Sequence, residues 1–219
     1  MTRLLVLRPE PGASATVDRA RAAGLDATSV PLFEIEPVEW DAPEAGSFDG
    51  LLLTSANAIR VGGERLKELR GLKTYAVGAA TAEEAREAGF DIAATGDSGV
   101  DRLLGSIDSS LKLLHLCGAD RRKPLEARQK ITPVAVYRAA PIQSPDLSDV
   151  SGSVVLIHSP RAGRRFAELV SDRSSIAIAA ISPAAAAVGD GWKSVDVAHQ
   201  PSDEALLALA ARLCNKPQP

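Results

Sequence analysis

Short apolar runs alternate along this chain with longer stretches in which small or apolar residues recur at helical spacing. Leu51–Leu53 ends at Thr54-Ser55 and gives way to a helical pattern; Val154–Ile157 ends at His158-Ser159 and does the same. Apolar runs of this length, bounded by turn residues, read as strands buried in a parallel sheet, and the 3.6-residue period reads as amphipathic helix. The pattern predicts strands at Arg3–Leu7, Asp26–Val30, Leu51–Leu53, Lys73–Val77, Asp91–Ala94, Leu111–Leu116, Ser153–Ile157, Ile176–Ile181 and Ser194–Ala198. Helices are predicted at Ser14–Ala23, Ser55–Leu69, Thr81–Ala88, Gly99–Ile107, Arg121–Lys130, Arg161–Val170, Ala184–Val188 and Asp203–Leu213. Gly62-Gly63 weakens the second of these, because each glycine costs a helix about 1 kcal/mol relative to alanine. Strands alternating with helices imply parallel sheets with right-handed crossovers.

The alternation repeats itself at long range. Ser159 follows Ser55 by 104 positions, Ser182 follows Gly78 by the same 104, and Asp203–Ala210 echoes Asp101–Ile107 at nearly that offset. Elements holding one spacing argue for an internal duplication. Leu113–Ala127 resembles Leu4–Val17, so the unit that closes the middle half opens the outer one. Pro31–Pro37 and Pro133–Pro141 are extended, proline-bounded stretches of the kind found in edge strands or connectors. The expected fold class is therefore α/β: two doubly wound parallel-sheet domains, circularly permuted duplicates, joined by a two-stranded linker with a ligand cleft between them. Residues 1–36 plus 142–219 are expected to form a discontinuous domain and residues 40–132 an inserted one. Residues 31–39 and 133–141 would be the linker strands.

Composition narrows the partners. Aromatic residues make up only 4% of the 219, so the cores must be built from Ala, Val, Leu and Ile. A net charge of −3, with no basic run longer than Arg121-Arg122-Lys123, argues against sequence-independent nucleic-acid binding. The apolar run near the N-terminus is too short for a secretory signal and no stretch approaches membrane-spanning length, so a cytoplasmic protein is expected. Cys117 and Cys214 are far apart and read as reduced thiols, and His115, His158 and His199 show no metal-ligand spacing. No metal is expected.

Open parallel sheets bind ligands beyond the carboxyl ends of their strands. The residues predicted there are Arg8, Thr54, Ser55, Gly78–Thr81, Cys117–Arg122, His158–Arg161 and Ile181–Ala184. They are small residues, hydroxyls and arginines, which suit anions approaching the free N–H groups of helix N-termini. Each also has a purely structural reading. Ser55, Ser159 and Ser182 are good N-caps, worth ~1 kcal/mol each, and Arg8, Arg121, Arg161 and Arg164 could simply face water. The dinucleotide fingerprint, the phosphate-binding P-loop, GxSxG, CxxC and a close carboxylate pair are all absent from the sequence. A reaction at these rims would need binding and orientation more than a strong nucleophile.

The motifs LLVLRPEPGA, PLFEIEP, FDGLLLTSANAIR, TYAVGAATAEEAREAGF, VAVYRAAP, VVLIHSPRAG, AISPAAAAV and PSDEALLALAARL, in this order and spacing, resemble those of the uroporphyrinogen-III synthase family. The resemblance implies two α/β domains joined by a two-stranded ladder. It implies a cyclising lyase of porphyrin and heme biosynthesis, converting hydroxymethylbilane to uroporphyrinogen III with loss of water and inversion of the last pyrrole ring. No cofactor is implied. The substrate carries eight carboxylates, which helix N-termini and arginines would suit. By motif position the family's cleft residues fall on Thr54, Ser55, Thr81, Tyr137 and Ser159. With Arg8, Gly78 and Ser182 these form the expected substrate-binding set, and Tyr137 is the candidate general acid, since a phenol can protonate a departing hydroxide. Ala184 and Ala185 stand where some relatives carry hydroxyls. The expected partner is the small polycarboxylate, bound by a monomer, with neither nucleic acid nor membrane. Two other readings stay open: a non-catalytic two-domain binder of a small anion, and a nucleotide-dependent group-transfer enzyme, disfavoured by the missing glycine loops.

Overall fold

A computed structural model describes residues 2–96, 99–120 and 127–215. In chain order its main elements are β1 (Leu4–Val6), α1 (Gly12–Ala22), β2 (Ala27–Ser29), β3 (Phe33–Pro37), β4 (Gly50–Leu53), α2 (Asn57–Val61), β5 (Thr74–Val77) and α3 (Ala79–Glu87). There follow β6 (Ile92–Gly96), α4 (Val100–Ser106), β7 (Lys112–Gly118), β8 (Lys130–Pro141), β9 (Val154–Ile157), α5 (Pro160–Leu169), β10 (Ala177–Ala180), β11 (Ser194–Val197) and α6 (Asp203–Cys214). The chain divides into two compact units, Met1–Glu34 with Pro141–Pro219, and Ile35–Ala140.

The discontinuous unit is built on a parallel sheet in the order β11-β10-β9-β1-β2. Side chains alternate between its faces, so Leu4, Val6, Val154, Leu156, Ala177 and Ala179 share one side. They pack with Ala13, Val17 and Ala20 of α1 and Leu206, Leu209 and Ala210 of α6. On the other face α5 lies so close to β9 that a Cβ added to Gly163 would meet Ile157 Cγ2 at 3.3 Å. Phe166 of α5 is fully buried and stacks on Trp192, with ring centroids 5.4 Å apart.

The continuous unit carries the order β3-β8-β7-β4-β5-β6. Leu51, Leu53, Leu114, Leu116 and Val136 form one core with Ala58, Ile59, Leu66, Leu69, Ala85 and Phe90. Leu52 and Leu113 form another with Leu103 and Leu104 of α4 on the opposite face. Both faces of both sheets are thus covered, and each fully buried leucine contributes about 2 kcal/mol of transfer free energy.

The two units are the same design read from different starting points. Leu51 pairs with Leu114 on one side and Thr74 on the other, as Val155 pairs with Leu5 and Ile178. Thus β6-β5-β4-β7-β8 repeats β11-β10-β9-β1-β2 in order, and in register apart from a bulge at Thr74/Tyr75 that shifts β6. The repeat extends into the stretches before β4 and β9. The Val38 N–H donates to the Val136 carbonyl (3.0 Å), and the Ile142 N–H, 104 positions on, donates to that of Leu32 (3.0 Å).

One local expectation is extended and three are corrected. The chain passes between its units within β3 and β8, two neighbouring strands as the linker expectation has it, but 133–141 continues a strand that starts at Lys130 and pairs with β7 from Lys112↔Lys130 to Gly118↔Tyr137. Its other side is taken by β3, so prolines that locally favour a sheet edge lie in an interior strand. The predicted polar helix at Arg121–Lys130 is absent where the structure describes it, residues 127–129 being irregular and Lys130 in β8; Arg121, Arg122 and Lys123 lie outside the described residues. Ala184–Val188 is a turn, not a helix. Its Ala185 and Ala186 N–H groups return to the Ser182 carbonyl, and Gly189 at φ +76° ends it. The helix predicted at Ser55–Leu69 splits at the two glycines into α2 and a 3-10 segment, Glu64–Leu69, with Gly63 at φ +72°.

Candidate active site

In the continuous unit the ends of β4, β7 and β8 bring four groups together. The Ser55 side chain lies near the Tyr137 phenol, close enough to favour its charged form. The Tyr137 ring lies over Gly118, where an added Cβ would meet ring atom Cε2 at 2.8 Å, and its carbonyl accepts from the Ala119 N–H at 2.8 Å. Only a glycine at the β7–β8 bulge leaves room for that ring. Burial pushes the Tyr137 pKa above its ordinary value, although the neighbouring Ser55 hydroxyl acts the other way. The phenol is therefore protonated at neutral pH and able to donate. Thr54, one residue before Ser55, bonds through Oγ1 to Nε2 of the buried His115 at 2.9 Å. Ser55 Oγ accepts the Asn57 N–H at 3.2 Å in a tight turn ahead of α2; it is not the expected cap, since Ala56 precedes that helix with no side-chain cap bond.

Gly78 sits at φ +87°, the left-handed region open to glycine, and its N–H is used on the Gly96 carbonyl at 2.6 Å. The N–H groups that follow, in the first turn of α3, have no acceptor within the helix. Thr81 lies in that turn but is buried, 6% exposed, on the core side of α3.

In the discontinuous unit Ser159 caps α5, its Oγ accepting the Ala162 N–H at 3.1 Å, with Pro160 in the first helical position. Ser182 accepts the Ala185 N–H at 3.3 Å. Arg161 stacks its guanidinium 4.5 Å from the Phe33 ring centre, and Arg164 is exposed. Arg8 is not a free rim cation. It lies over Gly12 and pairs with Asp203 at 3.5 Å, and burial lowers its pKa despite that carboxylate.

Sequence reasoning missed the centre of this second group. Asp203, the first residue of α6, accepts from His158 Nε2 (2.8 Å), Arg19 Nε (3.1 Å) and Thr16 Oγ1 (3.2 Å). Though burial opposes it, the hydrogen bonds from His158 and Arg19 hold the carboxyl far below the usual range. Desolvation of His158 lowers its pKa and keeps the ring neutral at pH 7. The network ties α1, α6 and the ends of β1 and β9 into one polar knot. Its only signal in the sequence was a histidine at a strand end.

Among the described residues no group of three or more His, Cys, Asp or Glu side chains is placed to hold a metal ion. What remains is a set of hydroxyls, one protonated phenol and helix-start N–H groups at the carboxyl ends of two equivalent sheets.

The family model described as Uroporphyrinogen-III synthase HemD matches residues 14–208. The chain belongs to the uroporphyrinogen-III synthase family. Its activity is that family's: a cyclising lyase of tetrapyrrole biosynthesis acting on a polycarboxylate tetrapyrrole. The solved uroporphyrinogen-III synthetase of Helicobacter pylori is 18% identical, covering 97% of this chain and 100% of its own, with a TM-score of 0.66. A mutant uroporphyrinogen III synthase of Thermus thermophilus is 16% identical over 99% and 100%, with a TM-score of 0.53. At these identities the likeness is one of fold. No curated protein matches the sequence significantly. Non-catalytic anion binding is not favoured for a synthase-family chain, and no helix among the described residues is long and apolar enough to cross a membrane. Where some family members carry hydroxyls, Ala184 and the fully buried Ala185 offer none, so this turn can contribute only backbone and Ser182.

Proposed function

We propose that Tyr137 is the general acid of the synthase reaction and that the two strand-end groups hold opposite parts of one hydroxymethylbilane molecule. The net reaction expels water. The leaving hydroxide must gain a proton, and the pyrrole carbon that closes the ring must lose one. A single phenol can give the first proton and be restored by the second. The observation that carries this is the placing of Tyr137, a protonated phenol beside Ser55 with its ring laid over Gly118. Ser55, Thr54 and the start of α3 would bind substrate carboxylates in one unit; Ser159 at the start of α5, and Ser182, would do so in the other. Arg8 and Thr81 act at one remove, Arg8 by fixing Asp203 and Thr81 by packing α3. On this reading the protein is a cytoplasmic monomer that works on a free small molecule, without nucleic acid or membrane.

Bringing the two ends of the tetrapyrrole together supplies much of the rate as a proximity effect, so deleting one binding hydroxyl costs little. Tyr137→Phe should lower kcat/KM by ~10²-fold or more, the usual worth of general acid help, with an unchanged melting temperature. Full activity in a stably folded Tyr137→Phe protein would remove the acid role.

A further inference from the structure

The discontinuous unit contains a cavity of about 370 Å³, and the duplication shows why it is there. Residues 38–50 and 142–154 are equivalent stretches of equal length, each tied at its start by the same backbone bond and entering equivalent strands at its end. In the continuous unit this stretch supplies Trp40 to the core, with Ala42, Ala45 and Phe48 packed against it. The corresponding positions in the discontinuous unit are Ser144, Asp146, Asp149 and Gly152. Leu114 and Val134, which share the core cluster with Trp40, correspond to Leu5 and Val30, which line the cavity.

We propose that this cavity binds a small aromatic molecule bearing one positive charge, its ring system lying where the other unit packs Trp40. Leu5, Val30, Pro31, Ile142 and Pro145 offer an apolar bed. At the rim Arg3 is already neutralised by Asp149 and Asp26, whereas the Asp146 carboxylate accepts the N–H and hydroxyl of Ser148, with no cation paired to it among the described residues. Those bonds also lower its pKa, so the lining carries a spare negative charge. The volume suits about two fused rings and lies at the small end of ligand pockets. This site lies within one unit and does not depend on how the synthase reaction is assigned.

The test titrates the full chain with tryptamine while following backbone amide NMR shifts, with indole-3-acetate as the same ring system of opposite charge. Saturable shifts centred on Val30 and Ile142 are expected, with indole-3-acetate binding roughly threefold or more weakly. Asp146→Asn, which keeps the acceptor for Ser148, should erase that preference. Ser144→Trp restores the missing indole and should abolish binding while raising the melting temperature; if it does not fold, Val30→Phe fills the cavity from the sheet side. No saturable shift, shifts centred in the Ile35–Ala140 unit, or undiminished binding in the folded filled variant would each overturn the proposal.

Discussion

Asp203 and His158 show how a buried polar pair makes stability depend on pH. The folded pKa of His158 lies below its ordinary 6.5, so the unfolded chain takes up that proton first. The resulting stability is complete above about pH 6.5 and is lost as the pH falls through the folded value. Asp203 is also depressed from its ordinary 3.8, so its contribution is present above about pH 4 and fades only in stronger acid. Thermal melts from pH 8 to 4 should therefore show an early loss from His158 before the general carboxylate loss. His158→Gln should remove the early part; a wild-type melting temperature flat between pH 7 and 5 would contradict this. Gly118 makes a separate claim. An alanine there would press its Cβ against the Tyr137 ring at 2.8 Å, so Gly118→Ala should cost at least about tenfold in kcat with the fold retained. Normal turnover in that variant would mean that the ring's position does not matter. None of these contacts was legible beforehand. They join positions such as 158 with 203 and 118 with 137, and composition and spacing carry no record of who meets whom; that 55 and 137 share a site came from the family resemblance alone.

At the scale of elements, the apolar runs located the strands, and their polar ends located Thr54-Ser55 and His158-Ser159, because a buried parallel strand must be apolar throughout and stop at a turn. The role of β8 was not legible. Its neighbour β3 comes from nearly a hundred residues earlier, and the prolines at 133 and 141 look locally like a sheet edge. The alanines at 184–187 were equally misleading: alanine favours helix, but a run ended by Gly189 completes only a turn. The role of β8 has a consequence for dissection. We propose that residues 35–140, which keep the last three residues of β3 and all but the last residue of β8, fold alone. A 40–132 fragment removes Val136, fully buried in the core, together with β3 and most of β8, and should melt far lower or not fold. Circular dichroism melts of the two fragments check this, and equal stability would place β8 outside the cooperative unit.

For the whole molecule, the duplication was readable from the 104-residue spacing, and the sheets repeat it in order and, apart from the bulge that shifts β6, in register. The copies have since diverged in chemistry: one end carries Tyr137 and Thr54–His115, the other the Asp203 knot and the cap of α5. A synthase that needs both should work only as the intact chain. The most direct measurement is the isomer made from hydroxymethylbilane. The linear tetrapyrrole closes to isomer I without an enzyme, so its identity after oxidation and separation reports whether the last ring was inverted. With the intact protein present the product should be uroporphyrinogen III. A product that remains isomer I at saturating protein would contradict the account.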